Sequence, residues 1–334
     1  MWREGSTGLL GTASWLLFIV RTAVLSYSWK GSMSSSSCKV TVAQGTAIGI
    51  TSCVIWSCAI LVMSLLSTAF GAMRAAGIEL LIAGMFLLAA AAARGDLRKI
   101  FLHSRPCLIL CGVFWILNNV LSWVAVSTVT SSAELLVVGL LNYLWPSCTL
   151  LLAIPLLGKR PTRWLPVGLL VVFFGIALAK ISTSPNAEFS DLARSINVIA
   201  YACAVLDALA WGIYSNLSAK LSHPEGASGV PVYMVAASLL LLCASQVLEP
   251  PASPTTNDWC LLVGWALASG LAYVSWDVGM RKGSVVTISV ASMLIPLSST
   301  IITAFMSGYG MTLYLLVAAA LVVAGSAVCR RSVV

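Results

Sequence analysis

The stretch LLNYLWPSCTLLLAIPLLGKRP, residues 140–161, places Asn142, Tyr143, Trp145 and Pro146 within five consecutive positions of an otherwise apolar run. No charge appears before Lys159, so the run reads as a helix that crosses a bilayer. An amide, a phenol, an indole and a helix breaker at mid-membrane are costly unless they serve a site. The closing GKRP supplies the basic loop that such a helix needs at one end.

The rest of the chain repeats this character. Its 334 residues are 59% hydrophobic and 9% charged, with a mean hydropathy of +0.97. A soluble domain carries about a quarter charged residues. The apolar runs are continuous rather than alternating, which fits helices and excludes a β-barrel. Ten spans are predicted, at 42–66, 76–93, 107–126, 133–157, 164–181, 196–217, 230–248, 259–279, 285–306 and 311–328. Residues 1–41 hold an apolar segment, 8–20, that is too short to span. They are read as an interfacial or disordered extension, with Met33 an alternative start.

The net charge of +8 lies in short loops, the pattern of a topology signal rather than of nucleic-acid binding. One set of loops holds Arg94, Arg98, Lys99, Arg105, Lys159, Arg160, Arg163, Lys220, Arg281, Lys282, Arg330 and Arg331, and the other only Arg74, Lys180 and Arg194. Twelve against three places the first set and both termini in the cytoplasm, in a bacterial-type inner membrane. The ten cysteines form no CxxC pair and the two histidines lie in loops, so neither a metal nor a cofactor is expected.

The opening stretch has a counterpart. ASMLIPLSSTIITAFMSG, residues 291–308, lies 150 positions later, matching Pro146 with Pro296, Gly158 with Gly308 and, beyond it, Gly175 with Gly325. Trp56 pairs with Trp211 at a shift of 155, and Trp123 with Trp276 at 153. These drifting shifts describe one duplication with small insertions. Five spans per half make the second half upside down, a construction typical of secondary transporters. The fold expected is an all-α membrane protein of ten transmembrane helices in two inverted five-helix repeats, 42–181 and 196–330, joined by an external linker at 182–195.

These strings carry a resemblance. VIWS (54–57) and LAWGIYSNLSAK (209–220) resemble the drug/metabolite transporter superfamily, EamA type. GLLNYLWPSCTLLLAI (139–154), GLLVVFFGIALA (168–179) and the segment LAYVSWDVGMRKGSVVTISVASMLIPLSSTIITAF (271–305) are similar to its YddG group of aromatic amino-acid exporters. The resemblance implies export of aromatic and bulky neutral amino acids by alternating access, and members are linked to toxic cations as well. Asp207 and the pair Asn118–Asn119 depart from that pattern and leave the finer substrate choice open.

The candidate substrate site follows from residue types at mid-span. Trp56, Trp123, Trp145, Trp211, Tyr143, Tyr214, Tyr273 and Trp276 supply ring faces for an aromatic ligand and its ammonium. Pro146 and Pro296 act as helix kinks or gates, freeing the carbonyls of Asn142 and Ser292. Those carbonyls suit an ammonium, and the amides of Asn142 and Asn119 suit a carboxylate. Asp207, with Trp211 and Tyr214 on its face, meets the ammonium, carries a proton or bonds a neighbouring helix. Tyr143 and Trp145 cannot face one side of a single helix, so Trp145 is expected to face a cavity only weakly. Trp115, Trp164 and Trp259 are assigned to the headgroup level, Glu79 and Glu134 to water near the outer span ends, and Asp277 to an ion pair with Arg281.

The partners expected are a small amino acid and the lipid bilayer, with the chain a monomer or weak homo-oligomer. Efflux of aromatic or quaternary cations is the alternative. A membrane enzyme is a distant third, because no HExxH, G-x-S-x-G or helically paired carboxylates occur.

Overall fold

Polar capping residues at the loop ends decide where the apolar runs become helix. In this computed structural model, which describes residues 41–182, 196–223, 226–292, 294–306 and 312–332, Thr41 caps α1 (Val42–Trp56) in a reciprocal box with Gln44. Then follow α2 (Ala59–Phe70), α3 (Ala72–Ala93), the short α4 (Leu97–Ile100), and α5 (Arg105–Ser127), which Ser104 caps. Next come α6 (Ser132–Asn142), capped by Ser131, then α7 (Trp145–Leu157) and α8 (Leu165–Ser182). The second half contains α9 (Val198–Leu221), α10 (Val230–Leu248), α11 (Thr256–Lys282), α12 (Val285–Ser292), α13 (Ile295–Met306) and α14 (Leu313–Arg331). The extension at 1–40, the linker from 183 to 195 and Gly308 lie outside the described residues.

Among the described residues, all regular elements of useful length are helical. Seven segments among the described residues are long and apolar enough to cross a membrane, or eight if the bent pair α1–α2 is one crossing. The chain is a multi-pass membrane protein. Apolar helix runs over only 165–179 in α8 and over Ile295–Met306 in α13, each shorter than a full crossing.

Three predicted spans are each two helices. The α1–α2 pair bends by 44° at Ser57–Cys58, where there is no proline. Between α6 and α7 the helix stops at Asn142 and restarts at Trp145, with Pro146 in the new first turn. Pro296 likewise stands second in α13. A first-turn proline wastes no hydrogen bond, because that N–H has no helical acceptor. The two prolines therefore start helices here, rather than kink continuous ones.

The packing is reciprocal between the halves. The most extensive helix pairs are α8·α14, α5·α9, α3·α10 and α1·α11. Matching the halves in order turns α5·α9 into α11·α1 and leaves α3·α10 and α8·α14 unchanged. The α8·α14 contact shows this atom by atom. A Cβ on Gly175 would stand 2.8 Å from the Ala318 carbonyl oxygen, and one on Gly325 would stand 2.7 Å from that of Gly168. Positions 175 and 325, and 168 and 318, differ by the same 150 that matches the prolines. Each helix presents to the other the contact it receives, as a two-fold relation requires. Without a hydrophobic effect in lipid, such close backbone approach is what makes helices adhere.

Loop contacts separate the two ends of the bundle. At one end His103 bonds the Ala227 carbonyl at 2.8 Å, Thr162 N donates to the Ser332 carbonyl at 2.7 Å and Ser284 N donates to Thr46 Oγ1 at 2.7 Å. At the other, Asn197 donates to the Thr128 carbonyl at 2.8 Å, and Glu249 caps α3 by accepting from Met73 N and Arg74 N at 2.6 and 3.0 Å. Gly71, at φ +87°, makes that cap possible, since a Cβ there would lie 2.6 Å from the Glu249 carboxylate. Arg74, one of the three exceptions in the charge count, is held by the Phe70 and Pro250 carbonyls at 2.8 and 3.0 Å. The outward faces carry exposed Leu170, Phe173, Phe174, Val247 and Phe305, an exterior suited to hydrocarbon.

Candidate functional site

The helix breaks converge. Where α1 stops, the Trp56 carbonyl loses its helical donor, and the Tyr143 hydroxyl at the α6–α7 break donates to it at 3.0 Å. Ser57 Oγ lies 2.9 Å from Ser298 Oγ of α13. An orphaned backbone group in hydrocarbon costs several kcal/mol, about 2–7 depending on the reference state, so each break supplies the other with a partner. Between them lies a cavity of about 120 Å³.

Its wall is largely aromatic. Trp56, Trp123, Tyr143, Trp145, Trp211 and Tyr273 line it, together with Trp265. The Trp56 ring lies 5.4 Å from Tyr273, 5.4 Å from Trp276 and 6.2 Å from Trp211, the first and last edge to face. Trp145 meets Trp211 at 6.0 Å and Trp276 at 6.1 Å. Each contact adds roughly 0.5–1.5 kcal/mol beyond burial and holds the cage rigid. Trp276 and Tyr214, which is 5.4 Å from Trp211, stand behind the wall rather than in it. Ser292, buried at the end of α12, is not among the lining residues either.

The expectation for Trp145 is overturned. Tyr143 and Trp145 both line the cavity because the helix is interrupted between them, at Tyr143–Leu144. That interruption resets the helical phase, and the argument from 100° per residue on one helix no longer applies.

The polar wall centres on Asp207, fully buried on α9. The Asn118 amide of α5 donates to one carboxylate oxygen and the Asn142 amide of α6 to the other. Asn142 also donates to Ser122 Oγ at 3.3 Å, so both hydrogens of its amide are engaged. Asn119 donates to the Trp115 carbonyl at 3.0 Å and to Asn118 Oδ1 at 3.4 Å. An acceptor-only carboxylate thereby fixes the orientation of both carboxamides.

Two further expectations fail. Glu79 is 4% exposed and lines the cavity. The helix carrying it begins at Ala72, four residues ahead of the predicted start, and two turns of helix bury the carboxyl beside Ser269 and Trp265 of α11. Trp115 is fully buried, its ring 5.6 Å from Tyr273 and 6.4 Å from Tyr233. It sits mid-helix in α5, where two phenol rings receive it in place of headgroups. Trp164 and Trp259 are 55% and 44% exposed. Glu134 is half-buried at the start of α6, accepting from Thr130 N at 2.8 Å. The Asp277 and Arg281 side chains lie outside the described residues. Ser122, Trp265 and Ser269 have no signal in sequence beyond helical spacing from better candidates.

Known proteins resemble this chain over most of its length. The aromatic amino acid exporter YddG of Salmonella typhimurium (strain 14028s / SGSC 2262) is 26% identical over 87% of this chain and 98% of its own length. The exporter of the same name from Escherichia coli (strain K12) is 28% identical over 58% of this chain and 66% of its own. A solved crystal structure superposes with a TM-score of 0.63 at 25% identity, covering 85% of this chain and 96% of the other. The model of the EamA-like transporter family matches twice in succession, over residues 43–181 and 198–330. Two matches that together take in nearly every described helix leave one assignment: the chain belongs to the EamA-like transporter family.

Proposed function

We propose that this protein exports aromatic and other bulky neutral amino acids across the inner membrane by alternating access, using the aromatic cavity as its substrate site. The observation that carries the reading is the convergence of three helix breaks on a cavity of about 120 Å³ lined by rings from both halves. Irregular backbone at membrane depth persists only where protein or a watery cavity covers it, and transporters place their substrates there. The relatives named as aromatic amino acid exporters supply the substrate class.

Ten crossings in two inverted five-helix repeats, 42–181 and 196–330, complete the reading. The reciprocal α8·α14 contact, the exchange of α5·α9 for α11·α1 and the alternation of loops between two ends all support it. With the basic loops inside, both termini are cytoplasmic. The aromatic cavity residues named from sequence act as substrate contacts, with Asp207 and Asn142 holding the polar wall, Trp276 and Tyr214 bracing the rings, and Pro146 and Pro296 setting the hinges at the breaks.

Counterflow of radiolabelled phenylalanine into liposomes containing the purified chain tests this. Accumulation of label against excess internal phenylalanine is the expected result, and no accumulation above empty liposomes ends the reading. Efflux of aromatic cations is the second reading. It is favoured by two carboxyls, Glu79 and Asp207, in a lining whose described residues include no Lys, Arg or His. A cationic dye that is carried while phenylalanine neither moves nor competes would select it.

A further inference from the structure

We propose that Glu79, Ser269 and Trp265 form the subsite for the charged head of the substrate. Glu79 receives the ammonium group, the Trp265 indole N–H receives the carboxylate, and the substrate ring lies toward Trp56 and Trp211. The proposal rests on the export reading above and states where in the cavity the amino acid is held.

Four observations lead there. Asp207, the obvious anchor, is already occupied, because each of its carboxylate oxygens accepts from a carboxamide of another helix. Glu79 is the cavity's other carboxyl, 4% exposed, and the described lining residues bring it no cation. A carboxyl at membrane depth carries its charge only beside a positive partner, and a substrate ammonium is a group able to supply one.

The third observation is a buried donor. Trp265 is 3% exposed, it lines the cavity, and its Nε1 has no hydrogen-bond partner among the described residues. Buried polar groups in native proteins are nearly always paired, so this N–H calls for an acceptor. It stands beside the Glu79 carboxyl without completing a bond to it. A donor adjacent to an acceptor suits a ligand whose ammonium and carboxylate share one carbon.

The fourth is spacing. Trp265, Ser269 and Tyr273 recur every four residues along α11 and so form one stripe. The stripe runs from the polar pair to Tyr273, whose ring touches Trp56 and Trp211 at 5.4 and 6.2 Å. About 6 Å of helix rise separates Ser269 from Tyr273, comparable to the reach of an aromatic side chain from its α-carbon.

The test uses the full chain in liposomes and three ligands: phenylalanine, phenethylamine (ammonium only) and 3-phenylpropionate (carboxylate only). In the wild type, phenethylamine competes for phenylalanine counterflow and phenylpropionate does so at least about tenfold more weakly. Glu79→Gln weakens phenylalanine and phenethylamine about tenfold, the loss of one charge-assisted hydrogen bond. Trp265→Phe weakens phenylalanine about tenfold and leaves phenethylamine within about twofold. Wild-type activity in Glu79→Gln overturns the proposal. So does wild-type competition by phenylpropionate equal to that by phenethylamine, a measurement that needs no variant to fold. If the wild type shows no phenylalanine counterflow, the export reading fails by itself. Phenethylamine binding, read by tryptophan fluorescence, then decides the head-group site: loss in Glu79→Gln keeps it and persistence removes it.

Discussion

Asp207 and Glu79 enter one cavity from different halves of the chain, on α9 and α3, and their surroundings divide the labour between them. Asp207 is saturated: two carboxamides from α5 and α6 hold both of its oxygens, and Ser122 holds one of those amides in turn. Among the described residues, Glu79 finds a hydroxyl and an indole of α11 as its polar partners. A saturated buried carboxylate ties three helices together and orients what surrounds it. A sparsely partnered one is open to a ligand. Burial alone does not separate a structural acid from a binding acid, whereas the count of donors already committed to it does.

Alanine at each position is the sharpest way to break this contrast. Asp207→Ala takes the carboxylate acceptor from one N–H of each of two half-buried amides and is expected to cost about 2–4 kcal/mol of stability. Glu79→Ala leaves no amide orphaned and is expected to cost about 1 kcal/mol. Thermal melts in detergent should show a far larger drop for Asp207→Ala; equal drops would erase the distinction.

Exchanging partners comes next in size. Asn142→Asp with Asp207→Asn keeps one carboxylate and one carboxamide face to face. The double variant should regain about 1–3 kcal/mol over the sum of its single variants. An additive cycle would mean that the pair does not act as a unit. Tyr143→Phe removes the donor to the Trp56 carbonyl and should lower stability by about 1–3 kcal/mol. An unchanged melt would show that the break between α1 and α2 finds another donor.

Asp96 gives the smallest expected effect and serves as the control outside the membrane. Lys99 donates to its carboxylate at 2.8 Å, and that hydrogen bond, aided by the Lys99 and Arg94 charges, holds the carboxyl below the usual aspartate range. A folded value below the unfolded one gives stability that is present above the unfolded pKa and is lost as pH falls through the folded pKa. Solvent screens so exposed a pair, and Asp96→Asn should change stability by less than about 0.5 kcal/mol at neutral pH. A larger change would show that exposed carboxylates here matter as much as buried ones.

The helices themselves were legible because apolar length is a one-dimensional property. The predicted spans 107–126, 230–248 and 285–306 coincide closely with α5, α10 and the pair α12–α13. The break in 42–66 was not legible, since Ser57–Cys58 carries no proline and the donor that meets the freed Trp56 carbonyl comes from another helix. The cavity's residue types were visible from sequence, and Trp56, Asn142, Asp207, Trp211 and Tyr273 do share one wall. Their roles were not: Asn142 reads as a donor to substrate and proves to be a donor to Asp207.

By itself, the sequence determined the helical class, the uneven share of basic residues between two sets of loops, and the 150-residue echo that links Pro146 to Pro296 and Gly175 to Gly325. Hydropathy, charge placement and repetition are carried by residue identity and order alone. Only the tertiary structure decided that Glu79 and Trp115 are buried, that Trp145 turns inward past a helix break, and that Asp207 is already paired. Those outcomes depend on which side chains other helices bring within hydrogen-bonding reach, and no single helix carries that information.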